Sequence, residues 1–202
     1  NIPAQVARIR EMISRELNLP LDQLPFVGEL LRVRDGETKW EGAIERLLHS
    51  FAQDLIVPET VYQQVSRFVN ENNLRGRLVY HRVDSRRKLK RLPEKREQLV
   101  EGQMVYEKLD IKEDTPFNDW LLVRLMTRFD YVCCHTLDNF HKAKRAITPN
   151  GQIKHDTTRH EKDDRRKIDD RRHYVLGWDN RDKLKQLETE LVGLQRNIRD
   201  LE

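Results

Sequence analysis

Apolar positions recur along this chain in two rhythms, a helical one at its ends and a mixed one in its middle. Near the start, Ile2, Val6, Ile9 and Ile13 follow one another at spacings of 4, 3 and 4 before Pro20. That spacing predicts an amphipathic helix closed by the proline. Near the end, Leu184, Leu187, Leu191, Leu194, Ile198 and Leu201 alternate spacings of 3 and 4, with Lys, Gln, Glu and Arg between them. This is the a/d seam of a coiled-coil helix. Two seams of similar length at opposite ends predict an intramolecular antiparallel coiled coil projecting from a globular middle. The plainer alternative lays each helix on the surface of that middle.

Between the seams the period changes. A strand is predicted over 29–33, ending at the turn signal Asp35-Gly36. A helix follows with an apolar face of Trp40, Ala43, Ile44, Leu47, Leu48 and Phe51, and with Glu41 and Glu45 on the opposite side. Leu55-Ile56-Val57 reads as a buried strand and Pro58 as a break. Val61, Tyr62, Val65, Phe68 and Val69 read as a second amphipathic helix, and 78–83 as a closing strand. The order is β-α-β-α-β, and it then recurs: strand 105–111, helix 120–129, strand 131–135, helix 140–147. Gln152-Ile153 and 174–176 are candidate later strands around a polar excursion.

At an offset of 78, Arg46-Leu47-Leu48-His49-Ser50-Phe51 falls on Arg124-Leu125-Met126-Thr127-Arg128-Phe129. Strands separated by short helices predict an α/β (α+β) module, here of two pseudo-repeated halves. Matching halves can offer matching sheet edges to a second molecule. The expected organisation is a coil segment over 1–19, a first half over 20–85, a basic linker over 86–103, a second half with its charged excursion over 104–178, and a coil segment over 179–202.

Composition sharpens this picture. Of the 202 residues, 37% are hydrophobic and 36% charged, too polar for a sphere of this size, so part of the chain is expected to be extended or solvated. No segment approaches the 18 or so uninterrupted apolar residues of a membrane-spanning helix. The chain begins at Asn1 and stops within a heptad seam, and is read as a piece of a longer protein. The net charge is only +4 and the pI about 9.1, so local clustering matters more than the total. Between the two halves, Arg86, Arg87, Lys88, Lys90, Arg91, Lys95 and Arg96 face one acid, Glu94. Such a run gives salt-dependent, sequence-independent affinity for phosphates, or else it is a solvated linker. The stretch from Arg159 to Arg172 sets seven basic residues, among them Arg165, Arg166 and Lys167, against five acids. Self-pairing is expected to cancel much of its field.

Candidate chemistry is sparse. Cys133 and Cys134 adjoin in an apolar stretch and read as reduced thiols on a buried strand, since zinc motifs space their cysteines by two to four residues. No G-x-x-x-x-G-K-[ST] loop occurs, so no nucleotide hydrolysis of that kind is expected of this segment. Asp163, Asp164, Asp169 and Asp170 with His155, His160 and His173 supply metal-ligand types, but nearly every acid abuts an arginine or lysine. Neither metal nor cofactor is expected. Trp40 and Trp120 lie on apolar helical faces and read as core, and Trp178 as a wedge where the module meets its last helix.

The order coil, duplicated α/β module, coil resembles the hinge domain of SMC proteins, the condensin-like chromosome ATPases. "VGELLRVRDGETKWEGAIERLLHSFAQDLIVPE" is similar to the first half of such hinges, and "LRGRLVYHRV" resembles the Gly-Gly-Arg strand that follows, with Arg75 where the pattern has its first glycine. The wording is most similar to the SMC-like subunit of MukBEF-related and Wadjet systems, the MksB or JetC type. The resemblance implies a homodimerisation hinge in a DNA-loop-extruding ATPase, acting in plasmid defence or chromosome organisation, with its ATPase heads in other parts of a full-length protein. It implies a subunit contact through Arg75, Gly76, Arg77, Leu78, Val79, Tyr80, Gly151 and Ile153, and double-stranded DNA on the basic residues named above. Kleisin and nuclease subunits would be met elsewhere on that protein, in the cytoplasm at the nucleoid. A reading from another class is a stand-alone nucleic-acid-binding module recruited through its coil.

Overall fold

A computed structural model describes residues 2–95, 97–178, 189, 191–195 and 198. Helix α1 (Ala4–Leu17) starts after Pro3 and ends where Asn18 takes a left-handed conformation, φ 52°, a helix stop that asparagine tolerates. Strand β1 (Leu31–Val33), helix α2 (Thr38–Ala52), strand β2 (Leu55–Pro58), helix α3 (Tyr62–Glu71) and strand β3 (Tyr80–Val83) complete the first half. In the second half come β4 (Leu109–Ile111), α4 (Asn118–Arg128), β5 (Val132–Cys133), α5 (Leu137–Lys142), β6 (Ala146–Ile147), β7 (Gln152–Lys154) and β8 (His160–Lys162).

The halves meet at β1 and β4. These strands pair antiparallel, Leu31 opposite Ile111, Arg32 opposite Asp110 and Val33 opposite Leu109. Arg32 and Asp110 stand 78 positions apart and form an ion pair at 3.3 Å at the centre of the ladder. Other features recur at the same separation. Glu29 accepts a hydrogen bond from the Phe26 amide at 3.0 Å, and Glu107 accepts one from Met104 at 2.7 Å. Beyond these turns β2 pairs parallel with β3, and β5 parallel with β6. The second half then extends its sheet by two antiparallel strands, giving the order β5-β6-β7-β8.

Three apolar clusters follow from this plan. The central one joins both halves, with Trp40, Ile44, Leu48 and Phe51 of α2 facing Leu121, Leu125 and Phe129 across the seam. An outer cluster of the first half contains Ile9 and Ile13 of α1 with Leu24, Phe26, Leu55, Val57, Val61 and Val65. In the second half, Met104, Val132, Cys134, Phe140, Ala143 and Ala146 form the third.

Several expectations are corrected. Two residues of the N-terminal seam, Ile9 and Ile13, are buried in the first half's own core, because α1 packs beside α3. Leu184, Leu187 and Leu201 lie outside the described residues, whereas Leu191, Leu194 and Ile198 are helical and exposed. The helix expected over 140–147 starts earlier, where the Thr136 hydroxyl caps the Asn139 amide. It stops at Lys142, leaving Ala146-Ile147 to the sheet. Residues 174–176 form no strand because the Val175 and Leu176 amides bond to the Glu45 carboxylate at 2.8 and 3.1 Å. Glu45, expected on the solvent side of α2, is therefore buried.

Candidate functional site

The sheet edges depend on which strand faces are already paired. In β3, the Val79 carbonyl accepts the Leu55 amide at 2.9 Å, so alternation leaves the N–H and C=O of Tyr80 and Arg82 pointing away from β2. No strand covers that side among the described residues. The approach to this edge is shaped at Arg75. Arg75 takes φ 50°, its amide bonds to Asn73 Oδ1 at 3.0 Å, and its carbonyl accepts Gln5 Nε2 at 3.3 Å. Arg75, Gly76 and Arg77 are exposed, while Leu78, Val79 and Tyr80 are half-buried. Leu78 and Tyr80 lean on the first half's outer core.

Gly151 and Ile153 are placed differently from expectation. Both are buried, and β7 is flanked by β6 on one side and β8 on the other. Ile153 pairs with Ile147 and with Glu161, so it cannot offer a free edge. The edge strand that ends this sheet among the described residues is β8, His160–Lys162, with all three side chains exposed. Sequence reading missed this strand because it has no apolar residue. Its legible signal is the turn that precedes it. Asp156 accepts amide hydrogen bonds from Thr158 at 2.8 Å and Arg159 at 2.7 Å, which draw its carboxyl down to about 2.

The basic candidates divide into paired and free. Arg86 is held by Asp84 at 2.9 Å, Arg91 by Glu94 at 3.0 Å, Arg165 by Asp163 at 2.6 Å, and Lys95 lies 3.8 Å from Glu107. Arg87, Lys88, Lys90, Arg166 and Lys167 have no ion-pair partner among the described residues, and Arg96 lies outside them. The linker is more than a solvated strap, since the Leu89 amide bonds to Asp119 of α4 at 2.9 Å. Similarly, the Arg166 carbonyl accepts Arg46 of α2 at 2.9 Å. Each basic segment is thus tied to the equivalent helix of a different half.

Other candidates have structural roles. Burial raises the Cys133 thiol to about 12, and Cys134 is raised likewise, so neither is a ready nucleophile. Arg165 holds the Asp163 carboxyl well below the usual range, and Arg172 holds Asp170 down to about 2. Among the described residues no group of three or more His, Cys, Asp or Glu is arranged to hold a metal ion, and no helix is long and apolar enough to cross a membrane. Trp40 is core. Trp120 packs half-buried against the central cluster, near Phe51 and His81. Trp178 is stacked by Arg32 at 4.6 Å, beside the pair at the centre of the module.

The chain shares its architecture with solved proteins. The hinge domain of the Pyrococcus furiosus Smc protein, solved with an extended coiled coil, matches with a TM-score of 0.55 at 20% identity, over 98% of this chain and 69% of that one. The chain has the fold of an SMC hinge domain. The Geobacillus stearothermophilus SMC hinge domain, solved as an asymmetric dimer, gives a TM-score of 0.56 at 18% identity, covering 100% of this chain and 77% of that one. A chain from the folded elbow of cohesin matches at 0.57 and 17% identity, over 98% of this chain and 28% of its own. No protein-family model and no curated protein matches the sequence. At these identities the hinge likeness is one of fold.

Proposed function

We propose that this module is a homodimerisation hinge, the point at which a coiled-coil SMC-type protein joins a second copy of itself. The observation that carries the reading is the pair of open strand edges, β3 in one half and β8 in the other, on a fold shared with a hinge domain solved as a dimer. Exposed backbone donors and acceptors favour pairing with another strand. Two related halves that each carry an open edge allow two contacts between two molecules and hence a closed, two-fold assembly. The recurrence of the Glu29 and Glu107 turns and the central Arg32–Asp110 pair supports a pseudo-twofold duplication.

The finer reading follows the sequence resemblance. The module belongs to an SMC-like subunit of the MksB or JetC type, in a DNA-loop-extruding ATPase of plasmid defence or chromosome organisation at the nucleoid. The heads and the kleisin and nuclease contacts lie on other parts of that protein. The exposed seam residues Leu191, Leu194 and Ile198 require a partner helix, which a longer chain would supply. Double-stranded DNA is met without sequence preference, chiefly by the free cations Arg87, Lys88 and Lys90 of the linker.

Light scattering over a concentration series, at low and high salt, tests the hinge. The expected mass is twice 24.2 kDa, insensitive to salt, and the chain without residues 179–202 is expected to remain a dimer of its own smaller mass. Tyr80→Pro, which blocks the outward side of β3 without touching the β2 ladder, is expected to give a folded monomer by circular dichroism. A wild-type monomer at every concentration would sink the hinge. Loss of the dimer with 179–202 alone would favour a module recruited through its coil.

A further inference from the structure

One face of α2 lies outside both the central core and the strand edges. Gly42, Arg46, His49 and Ser50 line a cleft of about 460 Å³ whose other wall is the excursion 161–174. The cleft exists because two glycines let the walls approach. A Cβ on Gly42 would lie 2.2 Å from the Ile168 carbonyl oxygen. One on Gly151, which takes φ 82°, would lie 2.6 Å from the Arg46 guanidinium and 2.9 Å from Ile168. Arg46 is mostly buried and spans the gap, bonding the Arg166 carbonyl at 2.9 Å and Asp164 at 3.3 Å.

The charges facing this space are unequally committed. On the acidic side, Glu45 is held by the Val175 and Leu176 amides, Glu161 by His155, Asp163 by Arg165 and Asp170 by Arg172. On the basic side, Arg166 and Lys167 have no ion-pair partner among the described residues. Half-buried His49 shares the cleft lining with Arg166, Asp163 and His173. Burial depresses its basicity, and Arg166 depresses it further.

We propose that the α2 cleft binds a nucleotide-sized, phosphate-bearing anion, with Arg166 and Lys167 contacting phosphate and Arg46, His49 and Ser50 forming the floor. A volume of this size is in the range of small-ligand sites, and guanidinium groups suit phosphate oxygens. The anion comes either from a free nucleotide or from a nucleotide of a nucleic-acid strand, and the shared chemistry is the phosphate. Bound phosphate would raise the proton affinity of His49 by bringing negative charge beside it, so binding strengthens as pH falls. The site needs no second molecule and does not rest on the hinge reading.

The test titrates the full 202-residue chain with pyrophosphate, ATP and a short DNA duplex in turn, following heat and the His49 imidazole resonances. Pyrophosphate or ATP is expected to move the His49 signals, and Arg166→Ala with Lys167→Ala to weaken affinity at least tenfold. His49→Gln is expected to weaken binding, more at pH 6 than at pH 8, and to lessen the pH dependence without abolishing it, since the Glu45 carboxyl of the same cleft is raised to about 7. Movement with DNA alone, lost in the same double variant, would also support the cleft and assign its phosphate to nucleic acid. Silence at His49 with all three probes, or wild-type affinity in the double variant, would overturn it. Both substituted side chains are exposed, so the fold and the mass in solution are expected to persist, which keeps a failed cleft distinct from a failed hinge.

Discussion

The two halves of this molecule begin alike and finish differently. Each opens with a turn braced by a glutamate on its own backbone, a short central strand and a helix on the shared core. The first half is then closed from outside by a helix, α1, which adds Ile9 and Ile13 to a cluster of large aliphatic and aromatic residues. The second half is closed with smaller material, Val132, Cys134, Ala143 and Ala146 around Phe140 and Met104, and extends its sheet with the β7–β8 hairpin. A common seed can thus be completed by a helix or by strands. That choice decides where the open edge falls, on β3 in one half and on β8 in the other.

The largest test of this contrast is in the outer cores. Phe140→Ala is expected to cost about 3–5 kcal/mol and Ile13→Ala about 2–5 kcal/mol in chemical denaturation, with the second half losing protection first in the former. If Ile13→Ala left stability unchanged, α1 would be an appendage and the asymmetry would disappear. Truncations that aim to remove the coil must for the same reason keep α1.

Next in size is the clamp that joins the halves' shared helix to the chain's exit. Burial raises the Glu45 carboxyl from 4.5 to about 7, although the Val175 and Leu176 amides pull it down. A raised folded value means that folding takes up a proton. The contribution is therefore full below about pH 4.5 and is lost as pH rises through about 7, with a limiting slope of about 1.4 kcal/mol per pH unit. Denaturation from pH 5 to 8 is expected to show this slope in the wild type and not in Glu45→Gln.

A smaller effect is expected at the hairpin that distinguishes the second half. Asp156→Ala removes the acceptor for the Thr158 and Arg159 amides. Hydrogen exchange is expected to quicken across β8 while β6 keeps its protection. The smallest effect separates paired from free cations. Lys88→Ala is expected to lower the salt slope of DNA binding by up to about 0.9, and Arg86→Ala, whose charge is already met by Asp84, by less. Equal slopes for the two would remove the distinction.

How much of this was legible depended on whether apolar residues marked it. Helix α2 and strand β2 could be placed from Trp40, Ile44, Leu48, Phe51 and the run Leu55-Ile56-Val57, because burial of one face imposes a period on the sequence. Strand β8 could not, since His160, Glu161 and Lys162 gain their pairing from the neighbouring β7 and bury nothing. Glu45 was misplaced for a related reason. Helical spacing puts it opposite the apolar face, and the return of residues 175–176 from 130 positions away covers it.

By itself, then, the sequence determined the alternation of elements, the 78-residue recurrence and the lack of a phosphate loop, because these reside in local spacing. The tertiary structure decided which helix α1 packs against, which strand edges stay open and which of the basic residues remain free. Each of those depends on partners far apart in the chain, and no local period records such a meeting.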